Sequence, residues 1–112
     1  LAGVEGVRLF TPSDKLSIAY HLCVAQIDFN SYRTSRTEVM EMLMKQWIGS
    51  QLHYIPLYRH PFFTQMAGDI SEYYPEMEKY YEQALTLPLF YDMKENDVDR
   101  VVKSLKDILV KK

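Results

Sequence analysis

Three histidines (His21, His53 and His60), one cysteine (Cys23), scattered lysines and nine tyrosines make up the reactive inventory of this chain. The histidines do not share a helical segment at i, i+4 spacing. No cysteine or carboxylate completes a spacing that suits zinc, so a metal site and a metal-dependent hydrolase are disfavoured. A Cys23–His53 nucleophile pair exists on paper only. Cys23 lies in the apolar run Ala19 to Ile27 and reads as a small buried hydrophobe, because a reactive thiol needs polar, electropositive surroundings. Gly3, Gly6, Gly49 and Gly68 are too scattered to form a loop whose backbone N–H groups cradle a phosphate.

The run His53-Tyr54-Ile55-Pro56 stands out. A histidine at a strand end, beside a proline-enforced turn, is well placed to point a donor into a cleft. The plainer alternative is a solvent-facing strand residue. Tyrosines and phenylalanines gather nearby: Tyr54, Tyr58, Phe62, Phe63, Tyr73, Tyr74, Tyr80 and Tyr81. They can pack with buried rings and wet hydroxyls, or they can form a surface for a partner domain or subunit. Both readings stay open.

These residues need elements to hold them. Residues 1–16, with Gly3, Gly6 and Pro12, read as a loop with room for one short strand. Ile18 to Phe29 is apolar on both faces and predicts a doubly covered strand. Ser35 followed by Glu38 fits a capping box, opening a helix from Arg36 to Ile48 that Gly49 closes with a left-handed residue. Gln51 to Leu57 predicts a second strand, which Pro56 confines to an edge or an ending. His60-Pro61-Phe62-Phe63 predicts an aromatic loop or a single helical turn, and Asp69 to Tyr74 a polar connector. Pro75 suits a first helical position, with the helix running from Glu76 to Ala84. Thr86 to Phe90 predicts a third strand. Asp92 with Glu95 offers a cap for the last helix, Glu95 to Val110, where Val98, Val101, Val102, Leu105, Ile108 and Leu109 form an amphipathic stripe. Lys111 and Lys112 then place positive charge at its C-terminal end. The expected fold is α/β (α+β): a small, mostly antiparallel sheet of about three strands with three helices packed on it, in a single domain over residues 1–112.

Composition narrows the function classes. The chain has 112 residues, 47% hydrophobic and 25% charged, with a formal charge of -2. That is enough apolar material for one core and no basic surplus for binding nucleic acid. A lone cysteine cannot staple a secreted fold. No stretch suits a membrane span and no signal-peptide pattern is visible, so a cytoplasmic setting is the expectation. The chain opens at Leu1, not methionine, which hints at a piece of something longer.

The run Trp47-Ile-Gly-Ser-Gln-Leu-His-Tyr-Ile-Pro-Leu-Tyr-Arg-His-Pro-Phe-Phe63 resembles "GIGTQVHYIPVHLQPYY", a segment found late in the DegT/DnrJ/StrS family of sugar aminotransferases, which depend on pyridoxal 5′-phosphate (PLP). Upstream, Ala19 to Asp28 resembles the family's "AYHLYVIQID", and Arg36 to Leu43 its following helix. Downstream, Tyr80 to Met93 resembles "YYERALSLPLFPDM", and Asp97 to Leu105 resembles "EDVDYVIKAL". The blocks run in order from about residue 5 to residue 109, closest to the branch that makes amino sugars of the pseudaminic-acid type for surface polysaccharides.

The resemblance implies a small C-terminal domain like that of fold-type I aminotransferases, with the large PLP-binding domain absent. Relatives keep the Schiff-base lysine, the aspartate on the pyridine nitrogen and most phosphate contacts in that large domain. None of Lys15, Lys45, Lys79, Lys94, Lys103, Lys106, Lys111 or Lys112 sits in the family's cofactor-lysine motif. No cofactor, catalytic residue or metal is therefore expected in this chain, and no activity from it alone. The partners implied are the large domain or a second copy of the chain, with a nucleotide sugar as substrate. By resemblance His53 matches the family's "HY" histidine and would donate a hydrogen bond to substrate, with Tyr54 as a weaker companion. Three departures are visible: Trp47 replaces a glycine, Cys23 an aromatic, and Tyr58 a second histidine. The competing reading is a stand-alone remnant acting as a non-enzymatic interaction or oligomerisation module through its aromatic surface.

Overall fold

The computed structural model describes residue 1 and residues 3–10 and 17–110. Pro12 and Lys15 of the lead-in, and Lys111 and Lys112 beyond the last helix, lie outside the described residues. Three strands form one antiparallel sheet in the order β1 (Val7–Leu9), β2 (Cys23–Ile27), β3 (Ala84–Leu87). Arg8 lies opposite Gln26, and Val24 opposite Thr86. The inner face carries Ala25, Ile27, Leu85 and Leu87. Helices α1 (Arg36–Lys45) and α4 (Glu95–Ile108) cover it with Val39, Leu43, Val101 and Leu105. Each fully buried leucine or isoleucine here contributes about 2 kcal/mol through removal from water. Helix α3 (Pro75–Gln83) crosses the outer face, and α2 (Pro61–Ala67) stands away from the core with no buried residue. The α/β class and the three-stranded antiparallel sheet match the sequence expectation; the helices number four among the described residues, not three.

The elements differ from expectation in instructive ways. The long strand from Ile18 shrinks to Cys23–Ile27, because β1 and β3 are short and Cys23 opposite Leu87 is the last pair. At its other end Asp28 accepts from the Ser31 N–H and starts a 3-10 turn over Phe29–Tyr32. The short strand allowed in the lead-in is β1. The strand expected at Gln51 to Leu57 reduces to one bridge: Gln51 and Thr86 exchange backbone hydrogen bonds of 3.0 and 2.8 Å. Two residues on, the Tyr80 hydroxyl takes the His53 carbonyl at 3.1 Å, so that carbonyl goes to α3 and not to a ladder. Leu57–Arg59 then turns as a 3-10 helix. Pro61 at a first-turn position starts a helix of seven residues where an aromatic loop or a single helical turn was expected. Strand β3 stops before Pro88, which lacks an N–H to continue it.

Helix caps follow the same logic. The capping box at Ser35 and Glu38 is present, with the Ser35 N–H donating to Glu38 at 2.7 Å. Pro75 opens α3 as expected. At α4 the expected Asp92–Glu95 cap gives way to Asp97, whose carboxylate accepts from the Lys94 N–H at 3.0 Å.

The end of α1 is the sharpest correction. The left-handed residue is Trp47 (φ 59°), not Gly49. Trp47 N–H donates to Met44 O at 2.9 Å and Ile48 N–H to Leu43 O at 3.0 Å. This is the Schellman pattern. Burial of both Leu43 and Ile48 pins its register, so the left-handed position falls on residue 47. Trp47 is 88% exposed and gains little burial in return. A Trp47→Gly variant should therefore be more stable by about 1 kcal/mol, the scale of left-handed strain in a residue with a Cβ. Chemical denaturation measures this; an unchanged or lowered midpoint contradicts it.

Candidate functional site

Strand β3 brings Thr86 to the outer face, where its side chain is buried at 6% exposure. His53 lies against it, Nδ1 2.9 Å from Thr86 Oγ1. The bridge at Gln51 delivers His53 to that place, and Tyr80 on α3 holds its carbonyl. Tyr54, joined to His53 by a cis peptide, turns its ring edge-on to the imidazole with centroids 4.6 Å apart. His53 is half-buried and Tyr54 is 66% exposed. The structure thus keeps the two sequence-predicted site residues together, with His53 anchored and Tyr54 open to solvent.

A second cluster holds the segment that follows in this chain. Tyr58 O–H donates to Glu78 Oε1 at 2.7 Å, Arg59 Nε donates to the same oxygen at 3.0 Å, and the Arg59 terminal nitrogen pairs with Glu78 Oε2. The two-pronged Arg–carboxylate geometry is the strong form of this interaction. Tyr81, one turn along α3, carries guanidinium groups from both Arg36 (4.9 Å) and Arg59 (5.2 Å) over its ring. Tyr58 also stacks on Tyr74 at 5.1 Å, and Thr64 O–H donates to Tyr58 O at 2.9 Å. The clasp ties both ends of the segment bearing α2 to α3.

Electrostatics record the clasp. Hydrogen bonds from Arg59, then Tyr58, hold the Glu78 carboxyl below the usual carboxylate range. Desolvation, then the bond to Glu78, pushes the Tyr58 phenol up to about 12. The bond to Glu78 raises Arg59 further. Thr86, Arg59 and Glu78 were not singled out in sequence; Tyr80 and Tyr81 were named only as members of the aromatic cluster. The available signal was local: Glu78 and Tyr81 share a helix face at i, i+3.

Beside this site, toward β1, the outer sheet face is uncovered. A cavity of about 710 Å³ runs along it, lined by Phe10, Ile18, Tyr20, Leu22, Val24 and Tyr80 among others. Cys23 lines it too, and burial raises its thiol pKa. His21 is on the cavity wall and His60 precedes α2; among the described residues no three His, Cys, Asp or Glu side chains gather to hold a metal. A PLP site needs a lysine beside the ring and a partner for its nitrogen. The described lysines, Lys45, Lys79, Lys94, Lys103 and Lys106, are all exposed and none lines the cavity. These residues do not fit that cofactor. Among the described residues no helix is long and apolar enough to cross a membrane.

The Glu78 shift has a definite pH consequence. Its folded pKa is lower than its unfolded one, so its contribution is present above the unfolded value of about 4.3 and fades as pH falls through the folded one. Wild-type chain should lose denaturation midpoint gradually below about pH 4, by an amount reduced through solvent screening. Glu78→Gln should flatten that acid limb; parallel limbs for both proteins would remove the clasp from the explanation.

Comparison with known proteins agrees with this architecture. The model of the DegT/DnrJ/EryC1/StrS aminotransferase family matches residues 1–106. The chain is 34% identical over 92 residues to the spore coat polysaccharide biosynthesis protein SpsC of Bacillus subtilis, covering 81% of this chain and 24% of SpsC. Among solved structures, the PLP form of a putative sugar aminotransferase, Spr1654 of Streptococcus pneumoniae, superposes with a TM-score of 0.81 at 22% identity, over 93% of this chain and 26% of that one. Helicobacter pylori PseC, an aminotransferase involved in the biosynthesis of pseudoaminic acid, gives 0.71 at 20% identity, over 80% and 23%. At those identities the two structures speak for the fold alone. The chain spans about a quarter of the length of its curated relatives. A family model matching nearly the whole chain, on a fold shared with sugar aminotransferases, settles its kinship: this chain belongs to the DegT/DnrJ/EryC1/StrS aminotransferase family.

Proposed function

We propose that this chain is the small, substrate-side domain of a PLP-dependent aminotransferase acting on a nucleotide sugar, in the supply of amino sugars for surface polysaccharide. His53 is the substrate-binding donor, Tyr54 its solvent-side companion, and the cofactor residues belong to a large domain outside these residues. The observation that carries the reading is His53 itself, fixed by Thr86 and by Tyr80, whose ring lines an open apolar cavity. A ligand-binding site needs such a preorganised polar group next to concave apolar surface. Family membership supplies the aminotransferase chemistry, and the spore-coat polysaccharide relative is consistent with the sugar side. A cytoplasmic setting goes with this reading.

The bare surface favours a second body. Leu57, Phe62 and Met66 are exposed around α2, on a helix with no buried residue. Exposed apolar groups of this extent mark interaction sites. The large domain is the partner in the main reading; a second copy of the chain is the partner if it works alone as an oligomerisation module.

Three measurements test this. The chain mixed with PLP should give no stoichiometric, borohydride-trappable Schiff base; a stoichiometric product would overturn the assignment of the cofactor to other residues. In an enzyme carrying this domain, His53→Ala should raise KM for the nucleotide sugar about tenfold, the scale of one hydrogen bond, with a smaller change in kcat. An unchanged KM would remove His53 from the site. Light scattering of the isolated chain should show self-association, and a clean monomer at high concentration would leave only the large domain as partner.

A further inference from the structure

A buried hydroxyl must give its proton to an acceptor. Thr86 is 6% exposed, and its backbone N–H and C=O are both taken by Gln51. Among the described residues the one acceptor its Oγ1 reaches is His53 Nδ1, at 2.9 Å. The hydroxyl therefore donates and Nδ1 accepts. The reverse arrangement, Nδ1–H donating to Oγ1, strands the threonine proton in a buried site with its desolvation uncompensated. With Nδ1 bare, the neutral ring carries its proton on Nε2. Nε2 itself makes no hydrogen bond among the described residues. The residue is held at two further points, by the Tyr80 hydroxyl on its backbone carbonyl and by the T-shaped contact of its ring with Tyr54.

We propose that Thr86 is a positioning residue that locks His53 in the Nε2–H tautomer, making it a one-way hydrogen-bond donor that selects an oxygen acceptor on the ligand. The acceptor is a phosphate oxygen or a sugar oxygen. Such a ring does not take a proton from a ligand, or coordinate a metal, through Nε2. The inference deepens the reading of His53 as a substrate-side residue and rests on it for the ligand, whereas the tautomer stands on the Thr86 geometry.

The test is long-range 15N–1H correlation on the histidine-labelled chain at pH 8.5. Wild type should show a pyridine-type Nδ1 and a pyrrole-type Nε2. Thr86→Val, close in shape but without the hydroxyl, should move both nitrogens toward the average of exchanging tautomers, and Thr86→Ser should restore them. A purely structural role for residue 86 would not give rescue by serine in this signal. A pyrrole-type Nδ1 in wild type, or identical His53 shifts in Thr86→Val, overturns the proposal. If the valine variant does not fold, the wild-type and serine spectra decide it. Addition of UDP and, separately, UDP-N-acetylglucosamine then reads the acceptor. A shift of His53 Nε2 with UDP alone identifies phosphate, and a shift with the nucleotide sugar only identifies the sugar. No shift with either, beside an intact Nε2–H signature, refutes the substrate-side reading and the acceptor while keeping Thr86 as the tautomer lock.

Discussion

Strand β3 is buried at all four positions, Ala84 to Leu87, and the rest of the structure is arranged to satisfy it. A doubly covered strand must place its backbone groups on both sides and its side chains on both faces. One side pairs with β2 and the other with the bridge at Gln51. The inner side chains, Leu85 and Leu87, join the core under α1 and α4. The outer ones, Ala84 and Thr86, need a lid, which α3 and the His53 segment supply. Thr86 brings a polar group into that buried layer, and His53 gives its hydroxyl a partner. His53, the candidate site residue, is thereby fixed by the same constraint that completes the sheet.

The outer face is covered unequally. Near β3 it is closed by α3 and His53. Toward β1 it opens into the apolar cavity, with the Arg8–Gln26 hydrogen bond (3.2 Å) at its polar margin. The segment bearing α2 gains no stability from the core, since that helix buries nothing. Its order rests on the clasp of Tyr58 and Arg59 with Glu78 and on the two guanidinium groups over Tyr81. Directional polar contacts replace packing there, and the exposed apolar side chains stay available to another surface.

Sequence reading succeeded where a rule is local. Ser35 and Glu38 lie within one helical turn, so their capping box is legible. The stripe of α4 and Pro75 at the head of α3 are legible for the same reason. It failed where a distant partner decides. The residues from Gln51 onward have strand-like composition, yet Tyr80 takes the His53 carbonyl and ends the pairing. Gly49 is the better left-handed residue by propensity, yet burial of Leu43 and Ile48 places that conformation on Trp47. Packing of two large side chains outweighs a local strain of about 1 kcal/mol.

The sequence by itself determined the class of fold and the family, and it marked out the run His53-Tyr54, because periodicity and ordered motif blocks are written along the chain. Only the tertiary structure decided what His53 is attached to. Thr86, 33 residues away, meets its Nδ1, and Tyr80, 27 residues away, meets its carbonyl. No pattern in a linear sequence encodes those meetings. They arise because β3 must be covered, and the chain that covers it carries the histidine.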